Sequence, residues 1–170
     1  MQRLIVSSRI QGALVLLFLL IGLRPLFADG SDIPVGNDLA EIGRLSQQQG
    51  IPAVVFVSRD ACPYCRTLRD TILKPMFTAG KFEQRALLVE VSLDRVEPLT
   101  GFDNIATTAE AFSELYRSEI TPTLLFLDSN GDEIAKRIVG ISNLELYGFY
   151  LQKSIDEALR KIQSINETQG

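Results

Sequence analysis

The chain has 170 residues, 22% of them charged, and its net charge is −4. It contains two cysteines and no histidine, which excludes a four-ligand Cys/His zinc site within the chain and a Cys–His catalytic pair. The acidic balance makes nucleic acid and anionic membrane surfaces poor candidates for partners. We therefore expect one domain with no metal, no cofactor and no nucleic acid partner.

The first 28 residues have the layout of a secretory signal peptide. Arg3 and Arg9 give a positive start, residues 12–23 form an unbroken apolar run, and Ala28 offers a small residue for cleavage. The alternative is an uncleaved membrane anchor, although this run is shorter than the roughly 20 apolar residues of a spanning helix. We expect the rest of the chain to lie in the periplasm, either released or anchored.

The remaining sequence predicts a single α/β domain at 37–163, between a flexible lead-in at 29–36 and a frayed tail at 164–170. Helical and strand periodicities alternate along the domain. The first predicted helix is capped by Asn37 or Asp38 and ended by Gly50, and a strand follows at 52–57. A second helix begins at Cys62, and we expect Pro75 to end or kink it near 73–74. The remaining predicted elements are a strand at 86–92, a loop at 94–107, a helix at 108–117, strands at 121–127 and 134–139, and a long helix from 142. This order predicts a four-stranded mixed sheet with helices on both faces and a parallel first crossover.

Two short motifs refine the second half of the domain. Asn130-Gly131 between the last two strands favours an antiparallel hairpin with a type I′ turn, because these residues accept positive φ angles. Ser142-x-x-Glu145 has the pattern of a capping box and predicts the start of the last helix.

The two cysteines form the motif Cys62-Pro63-Tyr64-Cys65 between a predicted strand and a predicted helix. This is the context of a dithiol redox centre, because a helix start stabilises a thiolate. Covalent haem attachment is excluded, since Arg66 rather than histidine follows the second cysteine. A purely structural disulfide is the alternative, although such a short bridge constrains the unfolded chain little.

The chain resembles the thioredoxin superfamily over about residues 37–162. The resemblance rests on the dithiol at a strand–helix junction, on Thr121-Pro122-Thr123 before a strand, and on the Asn-Gly hairpin followed by a last helix. The tetrapeptide Cys-Pro-Tyr-Cys is similar to that of glutaredoxins. The export signal and the segment after Thr121 look more like periplasmic thioredoxin-like proteins, including the thioredoxins of bacterial sulfur-oxidation systems.

The resemblance implies a thioredoxin-like fold and thiol–disulfide exchange. Cys62 would attack a client disulfide as a thiolate, and Cys65 would resolve the mixed disulfide.

The resemblance also implies a client-binding surface around the dithiol. Thr121–Pro122 would be a cis bond, leaving the backbone of Thr121 free to pair with a client strand. From the residues alone, an ordinary trans proline at the start of a strand is an open alternative. Pro63 and Tyr64 would form part of the exposed rim.

Several residues near the dithiol bear on its thiol pKa values. Arg59 and Arg66 are candidates for lowering them, the alternative being simple solvation at the surface. Phe56 stands where thioredoxins carry a buried aspartate, and Ala61 stands where an aromatic residue usually precedes the first cysteine. Glu90, on the neighbouring strand, is a candidate proton carrier or an ordinary half-exposed strand residue.

We expect a disulfide reductase that acts on exported client proteins and is kept reduced by a membrane electron donor. One alternative is an oxidase or isomerase of disulfides in exported proteins. A second, from another class, is a redox-inert peptide-binding module in which the disulfide only stiffens the docking surface. Replacing Cys62 with serine separates the last alternative from both redox enzymes.

Overall fold

A computed structural model describes residues 32–169 of the chain. The helices are α1 (Leu39–Gln49), α2 (Pro63–Leu68), α3 (Lys74–Thr78), α4 (Ala109–Leu115) and α5 (Tyr147–Gln169), and a π-helical turn (Arg69–Leu73) joins α2 to α3. The strands are β1 (Ala53–Ser58), β2 (Leu87–Ser92), β3 (Leu99–Thr100), β4 (Ala106–Thr107), β5 (Thr123–Leu127) and β6 (Glu133–Val139). The predicted signal segment lies outside the described residues.

Four strands form one mixed sheet in the order β2-β1-β5-β6. β1 pairs with β2 in parallel, whereas β1 with β5 and β5 with β6 are antiparallel. The prediction of a four-stranded mixed sheet with a parallel first crossover is confirmed. The stretch predicted as a loop at 94–107 contains a small hairpin of β3 and β4, whose Leu99 is buried in the core.

Helices cover both faces of the sheet, as predicted, and each face has its own core. All six residues of β1 are buried, and alternate side chains point to opposite faces, as the pleat requires. The face below the dithiol helix and α5 contains Val54, Phe56, Cys65, Leu68, Leu124, Phe126, Leu151 and Ile155. The opposite face, below α1 and α4, contains Leu39, Val55, Val57, Phe112, Leu125 and Leu127. Full burial of each large apolar side chain contributes about 1.5–3 kcal/mol.

Local capping signals place α1 as predicted. The side chain of Asp38 accepts a hydrogen bond from the backbone N–H of Glu41 at 2.9 Å, which satisfies one donor at the helix start. Gly50 closes the helix in the left-handed conformation, with φ of 65°.

Of the two alternatives predicted for Pro75, an end of the dithiol helix near residues 73–74 is wrong, and the structure has a local irregularity of the helix instead. The chain stays helical to Thr78, and the N–H of Lys74 bonds the carbonyl of Arg69 in a π turn. Pro75 thereby takes a first-turn position of α3, where a missing N–H costs little. The wide turn is the local irregularity that accommodates the proline inside a continuous helical segment.

The hairpin between β5 and β6 exists, but its turn is not of type I′. A type I′ turn needs positive φ at both central residues. Gly131 has φ of 88°, whereas Asn130 is not among the described residues with positive φ. Five residues, 128–132, connect the two strands. Asp128 stabilises this connection because its Oδ1 accepts the N–H groups of Asn130 at 2.8 Å and Asp132 at 2.9 Å.

The last helix begins later and extends further than predicted. It starts at Tyr147, not at the expected capping box of Ser142 and Glu145. Asn143 Oδ1 accepts the N–H of Leu146 at 3.0 Å and caps the turn ahead of the helix instead. The later start sets Tyr147 in the core. The helix continues to Gln169, through most of the segment expected to fray.

The described end of the predicted flexible lead-in is held against the sheet. Ile33 is buried in the core. The backbone of Glu90 bonds Pro34 and Gly36, each at 2.8 Å. The segment therefore covers the outer edge of β2. No helix within residues 32–169 is long and apolar enough to cross a membrane.

Candidate active site

Cys62 and Cys65 form a disulfide at the start of the dithiol helix. Cys62 is the N-cap of α2, and its Sγ accepts the backbone N–H of Cys65 at 3.0 Å. Cys62 is half-buried, whereas Cys65 is fully buried. After reduction, the N–H groups at the helix start favour a thiolate on Cys62, and the buried neighbour is shielded from large molecules.

The loop before β5 lies against this disulfide. The Thr121–Pro122 peptide bond is cis, as the resemblance implied, and the carbonyl oxygen of Thr121 is 3.7 Å from Cys62 Sγ. The N–H of Gly140, just after β6, bonds the carbonyl of Pro122 at 2.8 Å. The sequence-predicted residues Cys62, Thr121 and Pro122 are thus brought together.

Exposed apolar side chains surround the dithiol. Tyr64, between the two cysteines, is 66% exposed, and Ile120, beside Thr121, is 68% exposed. Pro63 is also exposed. Large apolar groups left in solvent beside a reactive centre are typical of a surface that receives another chain.

The guanidinium groups of Arg59 and Arg66 bond other groups than the sulfur atoms. Arg59 Nη1 lies 3.2 Å from Asp94 Oδ1, and Arg66 Nη1 donates to the carbonyl of Asp60 at 2.8 Å. These contacts hold the strand–helix junction together. A direct influence of either arginine on the thiol pKa values stays a prediction.

Sequence reasoning missed Arg69, which forms an ion pair with Glu90 on β2. Arg69 Nε donates to Glu90 Oε2 at 3.0 Å, Arg69 Nη2 bonds Glu90 Oε1, and the Ser58 hydroxyl also donates to this carboxylate. The hydrogen bond to Glu90 raises the pKa of Arg69 above its ordinary value. The sequence did contain a signal for Arg69: it lies four positions after Cys65, which places it one helical turn further along the dithiol helix, on the same face.

Phe56 lies between the ion pair and the buried dithiol face. Its ring is fully buried in the cluster that contains Cys65, and the guanidinium carbon of Arg69 is 5.6 Å from the ring centroid. Phe56 and Glu90 are direct neighbours across the parallel strands. An apolar ring therefore fills the expected place of a buried acid, and the carboxylate stands on the next strand with a cationic partner.

A cleft of about 210 Å³ borders this ion pair. Its lining residues are Val35, Asp60, Arg69, Glu90, Ser92 and Arg95. Glu90 is therefore a partly buried strand residue, paired with Arg69 beside a polar cleft, and its role as a proton carrier stays a prediction. Within residues 32–169, no three His, Cys, Asp or Glu side chains cluster so as to hold a metal ion.

The sheet order, the dithiol at a helix start and the adjoining cis-proline define a thioredoxin-like protein. The family model described as a thioredoxin-like domain matches residues 41–154, and the chain belongs to this family. Together with the Cys62–Cys65 pair, this supports thiol–disulfide oxidoreductase activity. A comparison of the sequence with curated proteins gave no significant match.

The chain is also similar to solved structures at low sequence identity. A protein described as DsbH oxidoreductase is 20% identical, covers 79% of this chain and 90% of its own, and has a TM-score of 0.57. Oxidised thioredoxin O2 from Arabidopsis thaliana is 17% identical, with coverages of 73% and 96% and a TM-score of 0.49. Oxidised mitochondrial thioredoxin 3 from Saccharomyces cerevisiae is 17% identical, with coverages of 74% and 94% and a TM-score of 0.49.

Proposed function

We propose that the protein is a periplasmic disulfide reductase that passes two electrons from the Cys62/Cys65 dithiol to disulfides in exported client proteins. One observation carries the proposal: half-buried Cys62 caps the helix beside the Thr121 carbonyl, while Cys65 is buried behind it. This asymmetry makes Cys62 the sulfur that a client reaches first.

The reaction consists of two exchange steps. The Cys62 thiolate attacks one sulfur of the client disulfide, which forms a Cys62–client bond and releases the other client sulfur as a thiolate. Cys65, after losing its proton, then attacks Cys62 Sγ. That step forms the Cys62–Cys65 disulfide and releases the second client thiolate. The client gains two electrons and two protons, and the protein ends in the oxidised form described above.

The surface around the dithiol supports binding of an extended client segment. The backbone of Thr121 lies beside Cys62 and is followed by Pro122, which has no N–H of its own. A client strand that pairs with this backbone would bring its disulfide to Cys62. The exposed Tyr64 and Pro63 would contact client residues on either side of the disulfide.

The proposed location and electron source rest on the N-terminal sequence. A charged start, an apolar run and a small residue at Ala28 are the features of an export signal. An exported reductase is oxidised in every turnover and needs a new pair of electrons each time. A dithiol donor in the membrane is the class of partner that would supply them from inside the cell.

The reduction potential of the Cys62/Cys65 couple tests the direction of the reaction. The protein is equilibrated with graded glutathione or dithiothreitol buffers, and the reduced fraction is measured by thiol alkylation and mass spectrometry. We expect a potential below about −240 mV, near that of thioredoxin. A value above about −180 mV would instead make the protein an oxidant or isomerase.

A further inference from the structure

We propose that Arg137 and Glu133 of β6 are positioning residues for the loop that presents Thr121 to a client, an inference that rests on the proposed disulfide exchange. Arg137 Nη1 donates to the backbone carbonyls of Tyr116 and of Arg117, the latter at 3.2 Å. Glu133 fixes the guanidinium from the other side, by accepting from Arg137 Nε at 3.0 Å and from Nη2. We call these four residues the Arg137 clamp.

The clamp acts where the backbone leaves α4. The last carbonyls of a helix have no partners within it, and Arg137 supplies partners from a different element. Directly after the helix, Arg117 has φ of 48°, a left-handed conformation that is unfavourable for a residue with a side chain. The surrounding contacts must hold such a residue in place, and the clamp contacts its carbonyl.

The remainder of the loop is tied down at two further points. The N–H of Ser118 bonds the carbonyl of Ser113 at 2.8 Å, and Ser118 is buried. Beyond the loop, Thr123 Oγ1 donates to the carbonyl of Ile120 at 2.6 Å. The path from the clamp to the cis-proline is therefore short and held at these two points, so a shift at Arg117 would be passed on to the following residues.

The same strand also holds the far end of this loop. The N–H of Gly140, just after β6, bonds the carbonyl of Pro122, and Thr123 pairs with Val139. β6 thus anchors the loop on both sides of Thr121, whose carbonyl is 3.7 Å from Cys62 Sγ. The clamp attaches the start of the loop to β6 through a side chain, whereas backbone contacts attach its far end.

Loss of the clamp should weaken client docking and leave the dithiol chemistry intact. The reactivity of the thiols depends on the start of α2 and on the burial of Cys65, and the clamp contacts neither. A small disulfide needs no strand pairing with Thr121, whereas a protein disulfide does. A substitution that removes binding shared by ground state and transition state raises KM and leaves kcat unchanged.

The test compares Arg137→Met with the unchanged protein on two substrates, insulin and hydroxyethyl disulfide. We expect the KM for insulin to rise about fivefold or more, in line with the sensitivity of such reactions to small displacements. We expect kcat for insulin, the rate with hydroxyethyl disulfide and the reduction potential of the dithiol to stay unchanged. Arg137→Lys, which keeps the charge but loses the forked geometry, should fall between the two.

Arg44→Met is the matched control, because Arg44 forms an exposed ion pair with Glu41 on α1, away from the loop. Glu133→Gln is the second clamp variant. It retains the shape of the side chain, and it serves as the test if Arg137→Met does not fold. It should raise the KM for insulin in the same direction by a smaller factor.

An insulin KM in the clamp variants equal to that of Arg44→Met would overturn the proposal. Equal losses on both substrates, or a shifted reduction potential, would overturn it too, because they indicate general damage. The proposal that the protein reduces client disulfides can fail independently of the proposal about the clamp. If the unchanged protein oxidises reduced ribonuclease instead of reducing insulin, the same KM comparison is made with reduced ribonuclease.

Discussion

At the scale of single residues, the contrast between Cys62 and Cys65 follows from their positions on one helical turn. The N-cap position leaves Cys62 half-buried, and three residues later the chain has turned Cys65 into the core. Apolar surroundings raise the pKa of a thiol, whereas a helix start lowers it. The two thiols of the reduced protein are therefore expected to differ in reactivity.

The Arg69–Glu90 pair provides a prediction about stability. The two side chains are only 19% and 14% exposed, so Glu90→Gln leaves a charged guanidinium poorly paired near the core. We expect a loss of about 1–3 kcal/mol in the free energy of unfolding, because the pair is partly solvated rather than fully buried. Urea unfolding, followed by circular dichroism, measures this change in the free energy of unfolding.

Glu41→Gln is the matched control for this substitution, since Glu41 also pairs with an arginine but on the exposed face of α1. Surface ion pairs contribute about 0–1 kcal/mol. An equal cost for the two substitutions would show that the Arg69–Glu90 pair has no special weight.

At the scale of helices and turns, the sequence predicted those helix ends that residues within a few positions determine. Asp38 and Gly50 bound α1 because a side-chain cap and a left-handed glycine act within a few residues. Pro75 does not end its helix, the first of the two predicted alternatives, because a single π turn accommodates it. The Ser142 motif was misleading, because Asn143 caps the turn and the helix starts where Tyr147 becomes buried.

The β5–β6 turn provides a prediction at this scale. Asp128 Oδ1 accepts two backbone N–H groups of the loop at 128–132, so Asp128→Ala should lower the free energy of unfolding by about 1–2 kcal/mol. Asp128→Asn keeps an acceptor oxygen at the same place and should cost less than half as much. Equal losses in thermal or urea unfolding would contradict this role of the side chain.

At the scale of the whole molecule, the sheet assembles the site from distant segments. The dithiol follows β1, the cis-proline precedes β5, and antiparallel pairing of these strands brings both to one end of the sheet. Motifs within the sequence were sufficient to place Cys62 and Cys65 at a helix start, and the resemblance they carry implied the cis bond before Pro122. The partners of Arg69 and Arg137 were not predictable, because each contact joins residues about 20 positions apart that lie on different elements and meet only in the folded chain.

The stability of the two redox states gives a prediction for the whole molecule. A reductase with a low potential favours its disulfide in the folded state, whereas a strong oxidant has a stabilised reduced form. By linkage, the oxidised protein should unfold at a higher urea concentration than the dithiothreitol-reduced protein. A reduced form that is the more stable of the two would contradict the proposed direction.

Trapping of the mixed disulfide tests the central claim most directly. Cys65→Ser and Cys62→Ser proteins are reduced and incubated with insulin, and the products are analysed by non-reducing mass spectrometry. We predict that Cys65→Ser accumulates a covalent adduct through Cys62, because the resolving thiol is missing, and that Cys62→Ser accumulates little. An adduct chiefly through Cys65, or none with either variant, would contradict the account of Cys62 as the attacking thiol.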